Sequence, residues 1–318
     1  MQLSLATIPT WAYKLLIVFA TAIWGLSFVI MKDVVECLPP SWLLGIRFFT
    51  AGLILLAVLW KRVRHHFSLK IIGLGALLAF FDYTAFLTQT IGLQHTTPGI
   101  NAFLTATYCV IVPFTWWVIA QKRPLAFNVL AAFIAVGGIG LVSSNGSGAG
   151  FSMGFGEAMT LLCALLFAIH ITLVSRLSGN SDVLVLTVFQ FLFEGAFGII
   201  VGCGVETLPP LSSVSLTVVG QMAFLIVFAS VIAFGIQNVA LAYIPPAQAS
   251  LFLSLESVFG VLFSVLIYGE VLTGQLLLGF VLIFAAILVN EVVAPRFEAK
   301  RAIVSAGRDK WKEEQPHD

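Results

Sequence analysis

Charged residues are scarce in this chain. Asp, Glu, Lys and Arg make up 10% of its 318 residues, whereas they make up roughly 25% of soluble domains. A soluble fold of this length would lack the polar side chains needed to cover its surface, which excludes cytosolic enzymes and nucleic-acid-binding proteins. The net charge is +1, so the chain as a whole creates no field that would attract polyanions.

Cysteine is also scarce, and its four residues show no Cys-x-x-Cys spacing. Cys109 and Cys163 fall within apolar runs, which favours small core residues over a disulfide or metal framework. The Gly-x-x-x-x-Gly-Lys-Ser/Thr motif of ATP-driven proteins and the His-Glu-x-x-His motif of zinc enzymes do not occur. We therefore predict no metal site, no cofactor and no catalytic residue.

Apolar residues, in contrast, make up 59% of the chain and form long runs. A transmembrane helix needs about 20 mostly apolar residues. Ten runs of this kind can be placed, at 13–31, 40–60, 71–93, 98–119, 125–143, 154–175, 183–203, 216–242, 246–268 and 273–293. Because the connections are short, we predict an all-α polytopic membrane protein with ten transmembrane helices.

Lysine and arginine are distributed unevenly about the predicted spans. Of the 16 such residues, fourteen lie on one side, Lys32 lies on the other, and Arg47 falls within the second span. Basic residues accumulate in the cytoplasmic segments of membrane proteins. We therefore expect both termini, including a polar tail at 296–318, on the cytoplasmic side of the plasma membrane, here a bacterial inner membrane.

The two halves of the chain can be aligned with one another. Identical residues recur at offsets of 148 or 143: Phe86 with Phe234, Gln89 with Gln237, Pro98 with Pro246, Phe48 with Phe191, and Gly52 with Gly195. The same offsets pair unlike polar residues: Arg47 with Gln190, Asp82 with Ser230, and Tyr108 with Glu256. Five spans per half is an odd number, so the second half must be inverted. Inverted repeats are a transporter architecture, and we expect the repeats at 1–147 and 148–295.

Short motifs in the first, second, ninth and tenth spans carry a family resemblance. They read Trp24-Gly25-x-x-Phe28, Arg47-Phe48 after Pro39-Pro40, Leu255-Glu256-Ser257-Val258-Phe259, and Gly269-Glu270-Val271-Leu272. In order and spacing, residues 13–293 resemble the EamA-type family of the drug/metabolite transporter superfamily. The resemblance implies ten helices in two repeats and transport of small organic metabolites, most often amino acids or their derivatives, and export more often than import.

Four charged residues lie well inside the predicted spans: Arg47, Asp82, Glu194 and Glu256. Each costs roughly 2.5–3.5 kcal/mol to insert and so needs a partner, a cavity or a proton. Since burial disfavours a charged carboxyl group, we predict that at least one of the three acids, Glu256 first, is protonated at neutral pH and couples transport to the proton gradient. For Arg47, a structural ion pair and contact with the substrate remain alternatives. Three further ionisable residues near span ends are expected at the interface: Glu157, His170 and Glu291.

Polar and aromatic residues at helical spacing suggest a binding site near the midplane. Asp82 and Gln89 share one helix face, as do Asn101, Thr105 and Tyr108. The predicted substrate-binding residues are Trp24, Phe28, Tyr83, Gln89, Asn101, Tyr108, Gln237, Asn238 and Glu256. Four of them are expected to face one central cavity: Gln89, Tyr108, Gln237 and Glu256. The alternative is that the polar side chains hydrogen-bond the helices to one another.

The function predicted from these patterns is secondary active transport of a small molecule by alternating access. The expected partners are the substrate and the lipid bilayer, without nucleic acid, and a homodimer is left open. One alternative is an intramembrane enzyme, because residues 150–154 match Gly-x-Ser-x-Gly. That motif needs a strand–turn–helix, which a loop between spans does not supply. The other alternative, a non-transporting receptor or scaffold, would need larger surfaces outside the membrane.

Overall fold

The fold is entirely helical in the part of the chain that the structure describes. The computed structural model describes residues 9–121, 123–143, 153–177, 181–241, 252–293 and 295–297, and no strand occurs among them. Eight helices are long and apolar enough to cross a membrane, and Ala126–Val142 and Leu255–Tyr268 are shorter apolar helices. The predicted all-α, multi-pass membrane protein is therefore confirmed.

Thirteen α-helices follow one another along these residues. They are α1 (Thr10–Cys37), α2 (Pro40–Val58), α3 (Trp60–His66), α4 (Leu69–Gln94), α5 (Pro98–Ala106), α6 (Tyr108–Ala120), α7 (Ala126–Val142), α8 (Phe155–Leu177), α9 (Val183–Val205), α10 (Leu216–Phe224), α11 (Ala233–Leu241), α12 (Leu255–Phe263) and α13 (Gly274–Leu288). Three π-helical segments continue α10, α12 and α13: Leu225–Ile232, Ser264–Tyr268 and Val289–Val293. A π-helical turn shifts the backbone hydrogen bonds and often marks a functional site.

Helices α2 and α9 form the most extensive helix pair among the described residues. Glycines bring their backbones together: a Cβ atom on Gly195 would lie 2.3 Å from Phe49 N, and one on Gly198 would lie 2.6 Å from Gly45 Cα. Small residues allow such close approach in membranes, where van der Waals packing replaces the hydrophobic effect between helices. The α2–α9 pair is therefore held by backbone contact along its length.

Carboxylates also tie the two ends of the α2–α9 pair. We call the end of the bundle that carries Lys61 and Arg62 the basic end. At the opposite end, Glu206 accepts hydrogen bonds from Ser41 N and Trp42 N, at distances of 3.1 and 3.2 Å, on the first turn of α2. At the basic end, Asp182 caps α9 and its Oδ2 lies 2.5 Å from Arg62 Nε. The unpaired N–H groups of both helices thus meet a negative charge.

The Asp182 cap makes part of the stability dependent on pH. Its Oδ1 accepts from Leu184 N and Val185 N, at 3.1 and 3.3 Å. Partial burial alone would raise the pKa of Asp182, but hydrogen bonds from Arg62 and Val185 N and the charges of Arg62 and His66 outweigh burial, so the pKa lies below its usual value. A group whose pKa is lower in the folded state stabilises the folded protein at pH values above its unfolded-state pKa. That stabilisation is lost as the pH falls through the folded-state pKa.

We expect Asp182→Ala to lower the unfolding free energy by about 1 kcal/mol through loss of the helix cap. Asp182→Asn keeps a capping oxygen and should cost less, because Arg62 is half exposed and its ion pair is screened. Thermal unfolding in detergent measures both changes, with Arg64→Ala as the control at an exposed position. The difference in unfolding free energy between the wild type and Asp182→Asn should become smaller as the pH falls below about 4. A stability difference that grows in acid would contradict this account.

Candidate functional site

A cluster of polar side chains lies buried between α4, α8 and α9. The Gln190 side chain donates from Nε2 to Asp82 Oδ2 at 2.7 Å and to Glu194 Oε1 at 2.9 Å. His170 Nδ1 lies 3.4 Å from Asp82 Oδ1. Asp82 and Glu194 are 2% and 0% exposed. We call these four residues the carboxyl cluster; it joins two acids through a single amide in the apolar interior.

Arg47 of α2 lies in the same interior, with 1% of its surface exposed. Its guanidinium donates from Nε to Ser230 Oγ at 2.9 Å and contacts Met31 Sδ at 3.3 Å. It also stands over the rings of Phe48 and Phe86, 4.8 and 5.4 Å from their centroids. Within the described residues no carboxylate lies within 4.0 Å of Arg47, so the ion pair considered for it is not formed there.

The Arg47 and Gln190 contacts are equivalent in the repeat alignment that we predicted from the sequence. Gln190 follows Arg47 by 143 residues, and Ser230 follows Asp82 by 148. In the structure Gln190 donates to Asp82, and Arg47 donates to Ser230. One half therefore holds an amide–carboxyl bond where the other holds a guanidinium–hydroxyl bond. The position of Glu194 corresponds to Ala51, so the second acid has no counterpart in the first half.

Two central helical spans each contain one residue at which the helical hydrogen bonding is irregular. In the fourth predicted span this residue is Thr107, whose hydroxyl donates to Leu104 O at 2.6 Å, and α6 begins at Tyr108. In the ninth it is Ser254, which precedes α12 and Glu256. Both residues keep right-handed helical backbone angles, so the chain does not leave the helix at either position. Each irregular turn is followed within two residues by a polar side chain, Tyr108 or Glu256.

Tyr108 and Glu256 line one small cavity next to these irregular turns. Its other walls are Ala102, Thr105, Ala106, Leu253, Ser254 and Ser257. Within the described residues the cavity has room for about one water molecule. The lining holds a carboxyl, a phenol and several hydroxyl groups, which can bind a polar solute through directed hydrogen bonds.

Gln89 and Asn101 connect helices beside the cavity. Gln89 Nε2 donates to Thr105 Oγ1 at 3.2 Å, and Asn101 Nδ2 donates to Thr160 Oγ1 at 2.8 Å. Asn101 also donates to Gln89 O at 3.2 Å and is 0% exposed. Because Thr105 lines the cavity, Gln89 supports its wall from behind. These bonds join α4, α5 and α8, as polar side chains between membrane helices do.

The remaining predicted binding residues are dispersed in the core. Trp24 Nε1 donates to Ala229 O at 2.8 Å, within a π-helical segment. Phe28 is buried on α1, and the ring of Tyr83 lies 6.2 Å from that of Phe197. Gln237 is half-buried on α11, and Asn238 lies outside the residues whose side chains the structure describes. None of the four whose side chains are described, Trp24, Phe28, Tyr83 and Gln237, lines the Tyr108–Glu256 cavity.

His170 and Gln190 are the functional candidates that sequence reasoning missed. His170 was expected at the membrane interface, but α8 extends to Leu177 and places it beside Asp82. Glu157 and Glu291, in contrast, do lie in terminal turns. Gln190 carried one available signal, its alignment with Arg47. His170 carried none, because only the packing of α4 against α8 brings it to Asp82.

The two ends of the bundle differ in how they are closed. Away from the basic end, Lys32 Nζ donates to Leu93 O, Gln94 O and Thr96 O. Glu270 accepts from Thr97 Oγ1, Gly99 N and Ser264 Oγ. At the basic end, a cavity of about 360 Å³ opens between α6, α7 and the end of α13. Its wall includes Val112, one helical turn from Tyr108. Lys32 and Glu270 thus bond neighbouring segments at the end opposite the basic end. The larger cavity lies towards the basic end.

No group of three or more His, Cys, Asp or Glu side chains suited to a metal ion occurs in the described part of the chain. Charged and polar side chains buried between membrane-spanning helices are typical of proteins that move ions or polar solutes through the membrane. Comparison with known proteins identifies the family. The model of the EamA-like transporter family matches residues 11–144 and 154–291, and the chain belongs to this family.

Relatives extend over most of the chain. An "Uncharacterized transporter" of Archaeoglobus fulgidus is 30% identical over 84% of this chain and 82% of its own length. The "Uncharacterized inner membrane transporter YedA" of Escherichia coli K12 is 28% identical over 84% of this chain and 87% of its own length. A solved crystal structure shares the fold, with a TM-score of 0.63 and 17% identity over 90% of this chain and 99% of its own.

Proposed function

We propose that this protein is a secondary active transporter in which two inverted five-helix halves rock around a central site. The observation that carries the proposal is the repeat-related pair of contacts, Gln190 with Asp82 and Arg47 with Ser230. Equivalent residues make equivalent bonds across the bundle, as a two-fold axis in the membrane plane requires. The family model also matches two separate stretches of the chain.

Packing of the outer helices agrees with the inverted arrangement. The rings of Phe48 and Phe191, matched at an offset of 143, lie 5.2 Å apart. In the α7–α13 pair, Asn128 at one end donates to Asn290 at 2.8 Å, and Gln275 at the other donates to Leu141 O at 2.9 Å. These helices therefore run antiparallel, which is the relation expected between the last helices of two inverted repeats.

Topology can be tested by cysteine labelling in intact cells. We expect single cysteines at His65 and Arg123, at the basic end, to react only with reagents that enter the cytoplasm. Cysteines at Glu206 and Ser147 should react from outside; Ser147 lies beyond the described residues. The background needs Cys37→Ser and Cys203→Ser, because these two native cysteines are not buried. Labelling of Ser147 and Arg123 from the same side would contradict the inverted repeat.

An amino acid or a derivative is the substrate class that the charges favour. Within the described residues Arg47 has no ion pair, and the Glu256 carboxyl has neither an ion pair nor a hydrogen bond. The two groups interact electrostatically across the core. A zwitterion could present its ammonium group to Glu256 and its carboxylate to Arg47. The resemblance to exporters places export ahead of import, and an acid that exchanges a proton would couple the cycle to the proton gradient.

Binding and flux measurements test this function. Amino acids and their derivatives are screened by thermal shift in detergent, since a ligand of the folded state adds about 2.7 kcal/mol of stability at 100 times its Kd. Ligands that shift the transition are then measured for flux in proteoliposomes, with and without a pH gradient. Flux that ignores the gradient would make the protein a uniporter or an exchanger. Binding without any flux would favour the alternative of a non-transporting membrane protein.

The alternative of an intramembrane enzyme rests on the Gly-x-Ser-x-Gly match at 150–154. Its serine, Ser152, lies outside the described residues. The family and its relatives carry transporter names, which favours transport, and we propose no catalytic activity. Incubation of the purified protein with the screened ligands, followed by mass spectrometry, should recover them unchanged.

A further inference from the structure

The two acids of the carboxyl cluster, Asp82 and Glu194, lie close to each other in the buried core. Both acids accept from one nitrogen, Gln190 Nε2, so the bonded oxygens Asp82 Oδ2 and Glu194 Oε1 cannot be more than 5.6 Å apart. Two carboxylates that share a buried site repel each other strongly, and one of them is driven to bind a proton. Gln190 contributes no charge, so its amide orders the pair without neutralising it.

The charged groups that face the pair do not remove this repulsion. From α2, Arg47 acts on Asp82 and Glu194 only across more than 4.0 Å, because its guanidinium is engaged by Ser230 and Met31. From α8, His170 touches Asp82 through Nδ1. Cys163, also on α8, is buried near Asp82 as a thiol. Glu256 also interacts electrostatically with Arg47. Among the described residues, Arg47 is therefore the one permanently charged cation that faces these three acids.

Two buried polar side-chain atoms of the carboxyl cluster are available to bind a proton. Glu194 Oε2 and His170 Nε2 have no hydrogen-bond partner among the described residues. Glu194 is 0% exposed, and an orphaned polar atom at that depth is costly. A proton on the carboxyl group gives Glu194 a donor as well as acceptors, and it removes one of the two negative charges.

We propose that Asp82 and Glu194 share one proton in the closed state and that this pair, ordered by Gln190 and bordered by His170, is where the transporter takes up and releases protons. The proposal rests on the proposed transport function and assigns its proton to the carboxyl cluster, with Glu256 left to contact the solute. Uptake forms one O–H bond on a carboxylate, and release breaks it and returns the proton to water on the open side. His170 Nδ1, 3.4 Å from Asp82, is the adjacent acceptor on that route.

Infrared difference spectroscopy of the purified full-length protein in lipid tests the pair without any solute. We expect the wild type to show a carbonyl band of a protonated carboxyl group that titrates with buffer pH. Glu194→Gln should remove this band. Asp82→Asn should move its titration to lower pH, because the charge of the neighbouring carboxylate no longer disfavours ionisation of Glu194. Glu256→Gln should leave it in place. Glu194→Asp, which keeps the acid, should shift the band and retain its titration, which separates loss of the pair from loss of the fold.

Two results would overturn the proposal: no titrating band in the wild type that Glu194→Gln removes, or a band whose titration Asp82→Asn leaves unchanged. Proteoliposome flux then separates this proposal from the function itself. Intact flux without the band overturns the proton pair alone. A titrating band in a protein that moves none of the screened ligands supports the pair and counts against the proposed transport function.

Discussion

Glu256→Gln is expected to abolish most solute flux while leaving expression and thermal stability at wild-type levels. Its carboxyl makes no ion pair or hydrogen bond within the described residues and lines the small cavity with Tyr108, so the substitution breaks no observed contact of the fold. A hydrogen bond to a charged group contributes about 1.5–3 kcal/mol. Loss of that bond to a bound solute would therefore weaken binding by about ten- to a hundredfold.

Tyr108→Phe tests the same cavity through the loss of one hydroxyl group. We expect weaker binding in the thermal-shift assay and slower flux, because the hydroxyl group that would hydrogen-bond the solute is removed. Trp117→Ala is the matched control on α6: its side chain is 44% exposed on the outside of the bundle, and flux should change little. Wild-type affinity and flux in Glu256→Gln and Tyr108→Phe together would show that the solute binds elsewhere.

Gly195→Ala is expected to be the most destabilising small substitution in the bundle. The added Cβ would lie 2.3 Å from Phe49 N, and a backbone atom within a helix cannot move aside as a flexible side chain can. Overpacking of this kind costs about 1–3 kcal/mol or more. The expected result is a clear fall in the thermal unfolding temperature in detergent, with less folded protein recovered.

Gly204→Ala is the control for this prediction. Gly204 lies on the same helix, and a Cβ there meets nothing within 4 Å. Alanine is favoured over glycine in a helix by about 1 kcal/mol, so this variant should be as stable as the wild type or more stable. Equal stability of the two variants would mean that α2 and α9 are not packed backbone to backbone.

The sequence by itself determined the class of protein and the positions of its helices. Inside a bilayer every backbone polar group must be bonded within the chain, so apolar runs of spanning length leave only helices as a solution. The sequence also predicts an internal repeat, because Phe48 and Phe191 are identical at an offset of 143 and the same offset aligns Arg47 with Gln190. The same alignment anticipated that Tyr108 and Glu256 occupy corresponding positions, and the structure places both on one cavity.

Only the tertiary structure decided which buried polar groups meet. Gln190 orders Asp82 and Glu194, Arg47 is bound by the neutral Ser230, and His170 lies beside Asp82. Such contacts depend on the rotation and depth of each helix relative to its neighbours. Nearly uniform apolar sequence specifies these weakly, because lipid and protein interior are similar environments for an apolar side chain. Close packing at glycines such as Gly195 sets them, and packing of that kind exists only between folded helices.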